Sequence, residues 1–209
     1  MALYLVRHGE TEWNRMKRFQ SRTEVPLNAT GIAQAGAIHD EFKRRGLRWA
    51  AVRCSPMERA RHTAQIILEG TGMSAVVEPS FIELSMGEFE GWYEADLAEK
   101  HGPAYQAWRD SQYIIAPPGG ESILTGAERV RPALLALAPL AEAGDVLIVA
   151  HQAVNMAMKV ALSGETDVDS AGSFRQHNDQ VDVWDMAARQ RLETFRVEPR
   201  HAENRQPGF

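Results

Sequence analysis

The chain of 209 residues carries 23 Lys and Arg against 28 Asp and Glu, a formal net charge of −5, and 44% of it is hydrophobic. That length fits one globular domain with a sizeable core, and the acidic balance leaves no basic surplus for nucleic acid or an anionic membrane. The lone Cys54 excludes an internal disulfide, and no apolar run approaches the roughly 20 residues a membrane helix needs.

In chain order, the first expected strand is Ala2–Val6, and Arg7 and His8 follow it directly, so charge appears where a buried strand ends. The stretch "TGIAQAGAIHDEFKRRG" places Ile32, Ala35, Ile38 or His39, and Phe42 near helical spacing, with Thr30 as N-cap and Gly46 as stop. A second strand, Trp49–Cys54, runs into Ser55-Pro56 and a helix whose early turns carry Arg59, Arg61 and His62. A short strand is expected at Ala75–Glu78. Pro132 and Pro139 fall inside the helical "LTGAERVRPALLALAPLAEAG" and predict a kinked or split element. The fourth strand, Asp145–Ala150, leads straight into His151. "VDVWDM" and "RLETFRV" flank "AARQ" and read as a hairpin. Residues 1–197 read as a single domain and the polar residues 198–209 as a loose tail. Strands alternating with helices predict an α/β fold with a mainly parallel sheet. With one cysteine and no charged leader ahead of a signal-type apolar stretch, a cytoplasmic location is expected.

Ligands of open α/β sheets sit beyond the carboxyl ends of the strands. Arg offers a permanent charge and a planar fork for phosphate oxygens; neutral His can be a nucleophile, a base or a metal ligand. A single Arg-His reads equally as a surface ion pair beside a hydrogen-bonded histidine. Three strands that end in Arg-His, in Ser-Pro with a nearby Arg, and in His point instead to one anion site.

With those residues, "LVRHGETEWN", "SPMERARHTA", "IELSMGEFEGW" and "IVAHQAV" resemble, in order, the motifs of the histidine phosphatase superfamily, phosphatase branch. The resemblance implies a three-layer α/β/α sandwich of the phosphoglycerate mutase-like type, with neither metal nor cofactor. It implies a phosphohistidine on His8, with Arg7, Arg59 and His151 binding the transferring phosphoryl group and Asn14 assisting. Glu83 would protonate the leaving group and then help activate water, although Glu88 and Glu90 lie close by. Gln20 and Ser21 fall in the phosphate-side loop. The family usually has Gly at Ser21 and at Gln152, so both add a polar side chain near the expected phosphate.

The chemistry asks for these residue types, because a neutral imidazole attacks phosphorus while cations stabilise the equatorial oxygens. Trp13, Trp92, Trp108 and Tyr113 are candidates for a substrate mouth or for core; His39, His62, His101, His177 and His201 are not placed in the site. The expected activity is a histidine-dependent, acid-type phosphomonoesterase for a small-molecule substrate, with a homodimer left open. A phosphoglycerate mutase is the alternative, but Leu84–Pro118 offers only Lys100 and Arg109 where mutases carry a basic cluster. Glu83, Glu88 and Glu90 near the mouth would also oppose bisphosphates. A non-catalytic phospholigand sensor on the same fold is the third reading, although His8 and Glu83 are both retained.

Overall fold

A computed structural model describes residues 2–164 and 174–198. One six-stranded sheet runs in the order β3-β2-β4-β1-β5-β6, with β1 at Ala2–Arg7, β2 at Trp49–Cys54, β3 at Val76–Val77, β4 at Asp145–Ala150, β5 at Gln180–Asp185 and β6 at Gln190–Arg196. The pairs β1/β4, β2/β4 and β2/β3 are parallel. Strand β5 runs against β1 and carries the hairpin to β6. The helices are α1 (Glu12–Arg15), α2 (Ala29–Arg44), α3 (Glu58–Ile67), α4 (Glu94–Ser111), α5 (Ile123–Ala143) and α6 (Gln152–Ser163).

The side-chain period of β1 explains the layers. Leu3 and Leu5 pack with the buried faces of α5 and α6, whereas Tyr4 and Val6 pack with those of α2 and α3. A strand covered on both faces must be apolar throughout, which is why charge waits until Arg7. The result is the expected three-layer sandwich. Cys54 packs among the apolar residues at the end of β2.

Four local expectations need correction. Helix α5 is a single element across Pro132 and Pro139, because both prolines lie on its exposed side. The carbonyls they release, at Glu128 and Leu135, belong to exposed residues and can take hydrogen bonds from water. The break falls in α4 instead, where Gly102 has φ 38° ahead of Pro103. Helix α2 starts two residues earlier than Thr30 suggests, since the side chain of Asn28 accepts the Gly31 N–H. Ile32 lies on its exposed side, while Ala35, Ile38 and Phe42 are buried. Strand β3 is cut to Val76–Val77, an exposed edge. Of the expected tail, only Glu198 lies within the described residues.

The order β2-β4-β1 places three parallel strands side by side, so their carboxyl ends open onto one spot. Val6 pairs with Val181 near the start of β5, which brings the residues preceding β5 to the same edge.

Candidate active site

Beyond these strand ends lies a cavity of about 320 Å³, lined among others by Arg7, His8, Asn14, Gln20, Ser21, Arg59, Glu83 and Gln152. His8 is buried, and its Nδ1 lies 2.7 Å from the Gly9 carbonyl oxygen. A carbonyl only accepts, so the proton sits on Nδ1 and Nε2 keeps its lone pair. That Nε2 receives the Nε–H of Arg59 over 3.2 Å. Burial first, then the charges of Arg59 and Arg7, hold the imidazole pKa well below 6.5. His8 is therefore a neutral imidazole with its lone pair turned to a cation.

The Gly9 carbonyl is itself held. Its residue's N–H donates to Thr63 Oγ1 at 3.1 Å, and Thr63 Oγ1 donates to the Arg59 carbonyl at 2.7 Å. On the opposite side Gly9 packs on the first turn of α2. A Cβ at Gly9 would lie 2.2 Å from the Gly31 oxygen, and one at Gly31 would lie 2.1 Å from the Glu10 oxygen. Two glycines are thus required by a backbone contact.

Arg59, 1% exposed, donates from Nη1 to the Thr23 carbonyl at 2.9 Å and from Nη2 to the Ser21 carbonyl at 2.7 Å. Arg7 donates from Nη1 to Gln152 Oε1 at 2.6 Å and to the Gln176 carbonyl at 3.0 Å. Burial pushes its pKa down to about 10, so it stays charged at neutral pH. His151 is fully buried, its ring centroid 5.1 Å from that of His8, and its Nε2 lies 2.7 Å from Ser55 Oγ. Burial, followed by the charge of Arg59, keeps it neutral as well. Its Nδ1 and the Nε of Arg7 are buried without partners among the described residues. Orphaned polar atoms from two strand ends are what an oxyanion site leaves behind.

Glu83 sits at the N-terminus of α6. Its Oε1 accepts the N–H groups of Leu84 and Val154, each at 2.9 Å, and its Oε2 accepts that of Ala153 at 3.3 Å. Asn14 and Gln20 are both tied to Thr11: Asn14 Oδ1 accepts the Thr11 N–H at 3.2 Å, and Gln20 Oε1 accepts the Thr11 hydroxyl at 2.8 Å. Ser21 has φ 47°, a left-handed conformation that favours glycine. Its hydroxyl donates to the Leu84 carbonyl at 3.2 Å and accepts the Met86 N–H at 2.9 Å, so its single proton is spent on the loop beside Glu83.

The profile of the histidine phosphatase superfamily (branch 1) matches residues 3–196. The chain belongs to the histidine phosphatase superfamily. Among its relatives in that superfamily is the adenosylcobalamin/alpha-ribazole phosphatase of Salmonella typhimurium, 34% identical over 154 residues, 74% of this chain and 75% of the relative. The phosphoglycerate mutase of Schizosaccharomyces pombe is 36% identical over 170 residues, 78% and 80% of the two chains. The crystal structure of the alpha-ribazole phosphatase from Shigella flexneri superimposes with a TM-score of 0.79 at 29% identity, covering 95% of this chain and 96% of that one. The family and its phosphatase members support a phosphatase enzyme of the histidine phosphatase fold.

The structure thus brings Arg7, His8, Asn14, Gln20, Ser21, Arg59, Glu83 and Gln152 to the wall of one cavity, whereas His151 is not part of that wall and lies fully buried against the His8 ring. Of the aromatic candidates, Trp13 and Trp108 line the cavity, whereas Tyr113 is buried in the core beside α5 and α6. The expected acidic mouth is corrected: Glu88 and Glu90 do not line the cavity, and Lys17, Arg18 and Arg175 line it together with Glu83 and Glu94. Gln176 and Asn178 were missed. Asn178 donates to the His8 carbonyl at 2.7 Å. An antiparallel β5 beside β1 was the signal that could have found them, since its first residues must lie where β1 ends. No helix among the described residues is long and apolar enough to cross a membrane.

Proposed function

We propose that the chain is a phosphomonoesterase for a small phosphorylated metabolite, working through a phosphohistidine at Nε2 of His8. One observation carries this reading: the Gly9 carbonyl fixes the His8 proton on Nδ1, which leaves Nε2 unprotonated beside Arg59. Attack by that lone pair forms the N–P bond as the ester P–O bond breaks. Arg7, Arg59 and the free Nδ1 of His151 stabilise the equatorial oxygens, with Asn14 at the cavity wall. Glu83 gives its proton to the departing alkoxide, and as a carboxylate it takes one from the water that then attacks phosphorus. Oε2, with one long bond against two shorter ones at Oε1, is the oxygen left to hold that proton.

Phosphoglycerate mutase is the second reading. The mutase relatives and the three cations at the mouth favour it, whereas the "GEFEGW" motif and the absence of Lys100 and Arg109 from the cavity wall support hydrolysis. The deciding experiment is phosphate release from a phosphomonoester panel, run beside 3-phosphoglycerate with and without its bisphosphate activator. Higher catalytic efficiency in hydrolysis is expected. Efficient isomerisation with little release would reverse the assignment, and a chain that binds phosphate but turns over neither substrate would be a sensor.

A further inference from the structure

We infer that Gln152 is a positioning residue that decides which edge of Arg7 meets the phosphoryl group; this rests on the phosphatase reading above. Arginine carries only donors, so the Gln152 amide must turn its oxygen to Arg7. Nη1 of Arg7 has two hydrogens, and both are taken, one by Gln152 Oε1 and one by the Gln176 carbonyl. The Nε–Nη2 edge is the free one. Nε is buried without a partner, and Nη2 makes no hydrogen bond among the described residues. A guanidinium clamped at one end presents the opposite edge as a two-pronged donor, the geometry a phosphoryl group accepts best.

The two jaws of this clamp have different anchors. Gln152 projects from the first residue of α6 and is half-buried at the cavity. Gln176 lies in an irregular segment fixed by polar bonds. Its Nε2 donates to the Leu5 carbonyl at 2.7 Å, and its Oε1 accepts from Asn155 Nδ2 at 2.7 Å. Two residues earlier, the Phe174 carbonyl accepts from Lys159 Nζ at 2.9 Å, and Lys159 is paired in the core with Asp182. Asp182 in turn accepts from Gln180 Nε2 at 2.9 Å and from Thr194 Oγ1 at 2.7 Å. Arg7 is therefore braced against the buried ion pair on one side and the start of α6 on the other. Glycine at position 152, usual in the family, would leave the first hydrogen of Nη1 unclaimed.

The test is a double-mutant cycle on oxyanion binding. Gln152→Met keeps the length of the side chain and removes the oxygen acceptor. Affinities for inorganic phosphate and orthovanadate are measured by calorimetry in wild type, Q152M, R7K and the double variant. Q152M should weaken both oxyanions by about tenfold, the scale of one hydrogen bond to a charged group. In the R7K background it should have no further effect, because the fork it orients is gone. Equal losses in both backgrounds would show the amide touching the anion itself and overturn the clamp. Tighter binding by Q152M would make Gln152 a competitor for Arg7, and unchanged binding would make it inert; either overturns the clamp while hydrolysis by the wild type keeps the phosphatase reading intact. A wild type that binds neither oxyanion would remove both.

Discussion

Arg59 Nε and His8 Nε2 lie 3.2 Å apart, so the cation touches the nitrogen proposed to attack. On the proposed mechanism that contact marks where phosphorus arrives, an entering phosphoryl oxygen taking over the Arg59 hydrogen bond as the lone pair turns to the N–P bond. Lysine keeps the charge but loses the planar fork. Arg59→Lys and Arg7→Lys should each lower kcat/KM on an aryl phosphate by at least about tenfold, or about 1.4 kcal/mol of transition-state stabilisation. Unaltered kinetics in both variants would place them outside the site.

The proposed covalent intermediate is open to direct capture. Rapid quenching without acid, followed by peptide mass spectrometry, should find phosphate on His8. His8→Ala should lose both the label and turnover. Near-normal hydrolysis by that variant would mean direct attack by water.

The proposed acid role of Glu83 can be separated from that of the nucleophile through the leaving group. An alkyl phosphate expels a basic alkoxide and needs a proton, whereas a nitrophenyl phosphate expels a stabilised phenolate. In single-turnover experiments Glu83→Gln should slow phosphorylation of His8 by the alkyl ester about a hundredfold, and by the aryl ester far less. Equal defects would reject Glu83 as the acid, and Glu88→Gln and Glu90→Gln would then be compared in the same way.

The two buried imidazoles make stability depend on acidity. Their pKa values fall well below 6.5 in the folded chain, so below that pH the unfolded chain binds protons the folded one refuses. Stability should fall as the pH drops from 7 toward 5, by up to about 1.4 kcal/mol per pH unit for each histidine, until the folded pKa is reached. His8→Asn should flatten that slope by one histidine's share in urea titrations. A slope that does not change on substitution would contradict the neutral, buried assignment.

The contact between Gly9 and Gly31 is backbone against backbone, with no flexible side chain to yield. Gly31→Ala would put a methyl 2.1 Å from the Glu10 oxygen, and overpacking of this kind costs about 1–3 kcal/mol. The displaced loop carries the carbonyl that sets the His8 tautomer, so kcat should fall in protein that is still folded. Thermal melts and turnover on the same preparation check both effects; a loss of stability with full turnover would detach α2 from the site.

The sequence marks the site through β1 and β4, which run apolar on both faces up to their carboxyl ends at Arg7 and His151, whereas β2 carries Arg53 one residue before its end and is marked by Ser55-Pro56 and Arg59 instead. The hairpin was legible as well, although its turn holds Arg189 at φ 57° without the usual Asn-Gly pair; Asp185 Oδ1 accepts the N–H groups of Ala187 and Ala188 instead. Pro132 and Pro139 misled, since both fall on the exposed side of α5, where the carbonyls they release can take hydrogen bonds from water and the helix runs on. Ser21 was named, but the use of its hydroxyl was not legible. Its left-handed backbone satisfies a position usually held by glycine, and its hydroxyl is used by residues 84 and 86, far away in sequence. Gln176 belongs to no periodic element, and only the pairing of β5 with β1 brings it to Arg7.

The adjacency of β2, β4 and β1 has a kinetic consequence. Arg59 meets His8 across 51 residues of chain, Ser55 meets His151 across 96, and Gln152 meets Arg7 across 145. Each closure loses loop entropy before any bond rewards it, so nothing resembling this site can exist in a chain whose sheet is half assembled. During refolding, helical signal should return ahead of turnover, and regained turnover should time the docking of the last parallel strand.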